Sequence, residues 1–188
     1  MVRLILGLAV WSGVHLFPSL GAKRRAAWIQ RIGEGPFKGL FALSIITAIV
    51  LMVLGWRSTP PVPAYAPPTW GPRLADLAMF VSLVLFIGSS LPTNLKRFVR
   101  HPQLTGVLVW ALAHLMANGE LRSLVLFGGI GLWAGVAMLA ISRRDGAWEK
   151  PEPLPLVAEL KPLLAGGVAY ALVAWGHPYI AGVSAFPG

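Results

Sequence analysis

Histidines have the clearest capacity for site chemistry in this sequence, because its 188 residues include four histidines and no cysteine. His114 lies in an apolar stretch with no acidic or basic residue within five positions on either side. His15 lies in a second apolar stretch, and a tryptophan precedes each imidazole by four residues, Trp11 and Trp110 respectively. The lack of cysteine excludes disulfides, thiolate metal sites and iron–sulfur clusters. Each imidazole is therefore expected either to link two helices by a hydrogen bond or to bind a metal ion or haem.

The number of these histidines favours haem over zinc. A catalytic zinc ion takes three protein ligands, whereas His15 and His114 have no carboxylate close by in sequence, and only Asp76 lies within another apolar run. Two imidazoles suit the axial positions of a haem, whose porphyrin supplies the other four ligands. The residues therefore favour a haem, non-covalent because the chain has no Cys-x-x-Cys-His motif, and leave open whether His15 and His114 face each other.

Residues around the two histidines fit this prediction. Trp11 and Trp110 are expected to stack on the same helix face as their imidazoles, since side chains four residues apart meet on a helix. Nearby small residues either allow close helix packing or leave room for a flat cofactor: Gly7, Ser12, Gly13, Gly106, Ala111, Ala113 and Ala117. Basic residues near the run ends are candidates to bind haem propionates, although membrane topology and anionic lipid also account for them: Arg24, Arg25, Lys96, Arg97 and Arg100.

The other two histidines are expected near helix ends. His101 precedes Pro102, and proline suits the first turn of a helix. His101 is thus predicted to cap that helix or to bind an acidic group at the membrane face. His177 lies in AWGHPYI near the end of the last apolar run, so we expect it to be a surface residue or a further ligand. Its replacement of His15 as the partner of His114 stays open.

The composition is that of a membrane protein. Hydrophobic residues make up 56% of the chain and charged residues only 12%, against about 25% charged residues in soluble domains. The mean hydropathy is +0.68 over the full length. The net charge of +9 does not indicate nucleic-acid binding, because the bases lie in clusters between apolar runs.

Six apolar runs position the candidate residues. Each is close to the roughly 20 residues that cross a bilayer as a helix, and none shows the strict alternation of barrel strands. They cover residues 2–20, 37–56, 74–91, 102–118, 121–141 and 163–181. We therefore predict an all-α, polytopic membrane bundle of about six transmembrane helices, forming one domain over residues 1–188. The proline-dense segment 58–72 is predicted to be a loop, and the last run to be interrupted at residues 176–178.

The basic loops predict the orientation. Bases cluster after the first, third and fifth runs, and such loops stay in the cytoplasm. This places the protein in the inner membrane with both termini periplasmic; a cleaved signal peptide is the alternative for the first run, although the bases after it argue against export. In a helix that begins at Pro102, His114 lies about 18 Å from the start, inside a hydrocarbon core of roughly 30 Å.

The fourth run carries a family resemblance. The residues Arg100-His101-Pro102-Gln103-Leu104, Gly106, Trp110, Ala113-His114 and Asn118-Gly119 are similar to the signature of the NnrU family, as are Phe127-Gly128-Gly129 and Gly13-Val14-His15. The similarity extends over roughly the whole chain, although the middle matches by hydropathy alone. The family includes the plant and cyanobacterial 15-cis-zeta-carotene isomerases.

The resemblance implies a polytopic membrane protein. For the isomerase branch it implies a haem b with histidine axial ligands and a cis-to-trans change in a carotenoid; for the bacterial branch it implies a role in denitrification and nitric-oxide metabolism. By motif, His114 matches the second ligand and His15 the first. The isomerases have a cysteine three residues before the second histidine, where this chain has Ala111. A redox-driven exchange of ligands through that cysteine is thus not available here.

Two further functions stay open from the sequence. Arg-His-Pro also resembles part of the S-adenosylmethionine site of membrane methyltransferases of the isoprenylcysteine and phospholipid type, but Leu104 replaces their tyrosine and the later pair of glutamates is missing. A non-enzymatic haem protein for electron transfer or sensing is the other alternative, because two strong axial ligands leave no open position on the iron.

Overall fold

Eight α-helices and one short 3-10 helix make up the computed structural model, which describes residues 1–186. The α-helices are α1 (Val2–Leu20), α2 (Ala22–Ile32), α3 (Glu34–Ser58), α4 (Gly71–Gly88), α5 (Leu95–Phe98), α6 (Pro102–Ala117), α7 (Leu121–Asp145) and α8 (Leu160–Ala181). The 3-10 helix, Leu156–Glu159, leads directly into α8. The described residues contain no β-strand, so the predicted all-α class is confirmed.

Five helical segments are long and apolar enough to cross a membrane: Val2–Leu20, Glu34–Ser58, Gly71–Gly88, Leu121–Asp145 and Leu156–Ala181. The chain is thus a helical membrane protein with several spans. α6 is apolar but has only 16 residues, or about 24 Å of helix at a rise of about 1.5 Å per residue. That is shorter than a hydrocarbon core of roughly 30 Å, so the sixth crossing stays a prediction.

Two local predictions are wrong. The basic segment between the first two apolar runs is a helix, α2, because lysine, arginine and alanine are good helix formers. The predicted interruption of the last run is absent, since α8 continues through Pro178 to Ala181. Proline is tolerated in membrane helices because neighbouring groups satisfy the backbone around it. The proline-dense loop is confirmed, as no helix forms between residues 59 and 70.

Unit 1 comprises Met1–Ala66 and Gly119–Gly146. Within it, α1 packs against both α3 and α7. Glycine permits the close approach on each side: a Cβ on Gly7 would lie 2.7 Å from Met52 Cγ, and one on Gly129 would lie 2.9 Å from Leu8 Cδ1. The predicted use of small residues in helix packing is confirmed at Gly7.

Unit 2 comprises Pro67–Asn118 and Ala147–Gly188. Here α4 packs against both α6 and α8. The Ser82 hydroxyl donates a 2.7 Å hydrogen bond to the Gly106 carbonyl across the α4–α6 interface. Away from the helices, the buried Asn94 side chain pairs with the backbone of Leu154 in both directions, at 2.9 and 2.8 Å. Helix α4 therefore joins α6 and α8 within this unit.

The α4–α6 contact leads to a stability prediction. We expect Gly106→Ala to destabilise the protein by about 1–3 kcal/mol, the usual effect of overpacking. The added Cβ would lie 2.7 Å from the Ser82 carbonyl oxygen, which is backbone and moves only with its helix. Thermal unfolding in detergent measures the change. Gly13→Ala is the matched control, because no atom lies within 4 Å of its added Cβ; equal losses in the two variants would contradict this account.

Candidate functional site

The imidazole of His114 is held by its own helix. It lies in the last turn of α6, and its Nδ1 is 2.9 Å from the Trp110 carbonyl oxygen. A carbonyl only accepts, so Nδ1 carries the proton and a neutral ring keeps its lone pair on Nε2. The Trp110 indole lies beside it, with ring centroids 4.8 Å apart and planes inclined at 48°, so the predicted contact on one helix face is present but the rings are tilted, not stacked. The neighbouring backbone is held by Asn118 Nδ2, which donates to the His114 carbonyl at 2.9 Å.

Helix α8 brings a second imidazole to the first. The rings of His114 and His177 have centroids 6.4 Å apart and planes inclined at 30°. His177 Nδ1 donates to the Val183 carbonyl at 2.7 Å, so its lone pair also lies on Nε2. With metal–nitrogen bonds of about 2.0–2.1 Å, two imidazoles on opposite sides of one metal have ring centroids about 6 Å apart. The separation of these two rings thus suits a shared metal centre.

Both rings line a cavity in unit 2, the His114 cavity, with a volume of about 280 Å³. Its walls come from α4, α6 and α8, and most of the side chains are apolar, such as Met79, Ala113 and Val173. Asp76 and Tyr170 are polar exceptions. Small-molecule sites are typically apolar concavities with a few convergent polar groups. The His114 cavity has that composition.

His15 lies in a different setting, inside unit 1. Its Nδ1 donates to the Trp11 carbonyl at 2.9 Å, and aromatic rings surround it: Trp11 at 4.1 Å, Trp133 at 5.1 Å and Phe41 at 5.8 Å between centroids. The predicted contact of Trp11 with His15 is present, with the ring planes inclined at 35°. Within residues 1–186, the indole Nε1 atoms of Trp11 and Trp133 are buried without a hydrogen-bond acceptor. A buried N–H group without an acceptor lowers the stability of the folded state. The two indole N–H groups and the imidazole of His15 together form a second polar site within an apolar unit.

Sequence reasoning missed one of these neighbours. Trp133 is 7% exposed and contacts His15 from α7, but no local spacing connects the two residues. The role of His177 is left open by the sequence, and α8 places its ring beside that of His114. The predicted pairing of His15 with His114 involves residues of different units, and it stays a prediction.

His114 lies near the end of its helix, within one residue of the position that the predicted run 102–118 gives it. The backbone of Asn118 is extended, with φ −129° and ψ 112°, and α6 ends three residues after His114. The ring is therefore about 5 Å from the end of the helix, at a rise of about 1.5 Å per residue. His101 is the N-cap of the same helix, as predicted, but makes no side-chain capping bond. With Arg100 it lies about 20 Å along the helix from His114.

Two imidazoles, those of His114 and His177, are the nitrogen donors that lie together in unit 2. Among the residues that the structure describes, no three histidine, aspartate or glutamate side chains come together as a metal site.

The comparisons identify the family. A family model described as NnrU protein matches residues 3–185, which include all four histidines. Comparison with curated proteins and with solved structures gives no match. Because the family match covers nearly the whole chain, from α1 to the end of α8, the chain belongs to the NnrU family.

Proposed function

We propose that this protein binds haem b in the membrane, with His114 as one axial ligand. The observation that supports the proposal is the 6.4 Å separation of the His114 and His177 rings within one apolar cavity. Each ring has its Nδ1 tied to a backbone carbonyl, as is usual for a histidine that binds a metal. The nitrogen donors of the two rings therefore suit a haem iron.

The second axial ligand is either His177 or His15. The geometry of unit 2 supports His177, since that ring already lies at a suitable separation from His114. The sequence and the family resemblance favour His15, whose Nδ1 makes the same kind of carbonyl bond. The two assignments predict different optical spectra for the His15→Ala and His177→Ala variants.

The protein residues have distinct roles in this proposal. His114 and His177 bind the cofactor, Trp110 fixes the ring orientation of His114, and apolar side chains such as Met79 and Val173 exclude water. Haem would supply one-electron redox chemistry. The cavity walls also suit a lipophilic molecule beside the two imidazoles.

For the wider role we propose cis–trans isomerisation of a lipophilic polyene of the carotenoid type, or a part in denitrification and nitric-oxide metabolism. Family membership supports both, and the apolar lining of the His114 cavity supports the first. The test is to offer cis-carotenoids to the reduced protein and to follow the products by chromatography. Conversion to the trans isomer supports isomerisation, whereas no conversion by haem-loaded protein would reject it and leave the nitric-oxide or electron-transfer role.

Haem binding itself is tested by titration. Protein in detergent, purified from haem-limited cells, is titrated with haemin while the Soret band is recorded. We expect saturation at one haem per chain. If the absorbance does not saturate at a defined ratio of haem to protein chain, as when haemin partitions into empty micelles, the proposal is refuted. S-adenosylmethionine is tested in parallel, because its binding would instead support the methyltransferase alternative.

For the location we propose the inner membrane, with both termini in the periplasm. Within unit 1, bases from α2, from the start of α3 and from the end of α7 line one cavity, represented by Arg25, Lys38 and Arg144. This convergence supports a single cytoplasmic end for that unit. Reporter fusions after Arg31, Lys96 and Lys150 are predicted to read cytoplasmic. A periplasmic reading at any of the three would overturn this topology.

A further inference from the structure

Helix α2 is a basic helix with no buried residue. Single glycines, Gly21 and Gly33, connect it to α1 and α3, both of which are long and apolar enough to cross a membrane. Two of its large apolar side chains are not buried by the rest of the protein: Trp28 is 55% exposed and Ile32 is 37% exposed. The helix therefore lies at the end of two membrane helices with its apolar residues unburied.

The residues of α2 divide between two faces. At about 100° per residue, Lys23, Arg24 and Arg31 share one face. The opposite face carries the apolar residues Ala22, Ala26, Trp28, Ile29 and Ile32 and, among them, the single base Arg25. A short helix with a basic face and a tryptophan-containing apolar face typically lies in the plane of the membrane interface. Its uncovered face suits the boundary between head groups and acyl chains.

A cavity of about 530 Å³, the basic cavity, lies beside this helix. It is lined by Pro18, Arg25, Phe37, Lys38, Phe41 and Arg144. The Arg25 guanidinium lies over the Phe37 ring, 5.6 Å from its centroid. Three cationic groups thus border an aromatic wall, a combination that suits a molecule with an anionic head and an apolar body.

Positive charge dominates the surroundings. Residues 17–41 and 142–146 contain seven bases and two acids, Glu34 and Asp145. Both acids form ion pairs with cavity residues, Glu34 with Lys38 at 2.9 Å and Asp145 with Arg144 at 2.7 Å. These pairs are exposed to solvent, and exposed ion pairs contribute little stability. Lys38 and Arg144 can therefore exchange a carboxylate for a phosphate at little cost.

We propose that α2 and the basic cavity form a binding site for an anionic phospholipid. The phosphate lies among Arg25, Lys38 and Arg144, and the acyl chains run along Phe37 and Phe41. A lipid is favoured over a free phosphate because the lining is half aromatic or apolar and lies at the ends of membrane helices. Basic interfacial segments attract anionic lipids in this manner. The inference does not depend on haem binding.

The test compares lipids on the purified full chain by native mass spectrometry from detergent. Phosphatidylglycerol is expected to bind about tenfold or more tightly than phosphatidylcholine. The double variant Arg25→Gln, Arg144→Gln should lose most of that preference while keeping its phosphatidylcholine affinity, which shows that it remains folded. Arg57→Gln, at the opposite end of α3, is the matched control and should behave as the wild type.

Three results would overturn the proposal. Equal affinity for the two lipids would leave no role for the bases. A lipid preference retained in the double variant would place the site elsewhere. Displacement of phosphatidylglycerol by an equal concentration of inorganic phosphate would identify a phosphate site instead of a lipid site. Haem content is measured on the same samples, and loss of haem in the double variant would assign the bases to haem propionates.

Discussion

Replacement of His114 by alanine is expected to remove the low-spin haem spectrum and to lower haem occupancy at least about tenfold, since even outer-shell changes at metal sites cost about 10- to 100-fold in affinity. His114 contributes a ring whose proton is fixed on Nδ1 by the Trp110 carbonyl, and no other side chain in α6 offers a nitrogen of this kind. Absorbance of the purified variant in the oxidised and reduced states measures both effects.

The partner of His114 is identified by two further variants. If His177 is the second ligand, His177→Ala should convert the spectrum to high-spin while His15→Ala leaves it unchanged. The reverse pattern would establish His15 as the ligand and reject the pairing seen in unit 2. His101→Ala is the matched control, because His101 lies at the other end of α6, about 20 Å from His114. A low-spin spectrum in His114→Ala protein would reject His114 altogether.

Replacement of Arg122 by alanine is expected to destabilise the protein by about 1.5–3 kcal/mol, the range of charge-assisted hydrogen bonds. Arg122 Nε is paired with Glu120 at 2.7 Å, and its Nη1 donates to the Trp56 and Thr59 carbonyls at 3.4 and 3.2 Å. Its guanidinium also lies over the Trp56 ring, 4.4 Å from the centroid. The side chain therefore ties the start of α7 to the end of α3.

Thermal unfolding in detergent measures this effect, and a fall in midpoint of about 5–10 °C is expected for a chain of this length. The unfolding midpoint of Arg122→Lys should lie between those of the wild type and the alanine variant. Lysine keeps the positive charge but lacks the planar guanidinium that donates several hydrogen bonds. Arg57→Ala is the control: Arg57 is exposed and should change stability by less than about 0.5 kcal/mol. Equal effects at the two arginines would show that charge alone, not the network, is responsible.

Helix positions were predictable because the membrane demands long apolar runs. α1 begins and ends where its run predicted, at Val2 and Leu20. α2 was missed because a search for apolar runs does not detect a short basic helix, although its two-faced pattern was present in the sequence. The interruption predicted at Pro178 is wrong because proline is better tolerated in the helices of membrane proteins than in those of soluble proteins.

The candidate site was predictable only within single helices. The four-residue spacing predicted that Trp11 stacks with His15 and that Trp110 stacks with His114, and both contacts are present. The proximity of His177 to His114 depends instead on α4, which packs against both α6 and α8. The contact of Trp133 with His15 likewise depends on the packing of α7 on α1. No spacing along the chain encodes these contacts.

The most direct test of the central claim is the optical spectrum of the wild-type protein, purified in detergent from haem-replete cells. Two imidazole ligands should give a low-spin haem b with sharp alpha and beta bands on reduction, and extraction with acidified solvent should release it, since no covalent attachment motif exists. Colourless protein, or haem that is high-spin in the wild type, would contradict ligation by two histidines.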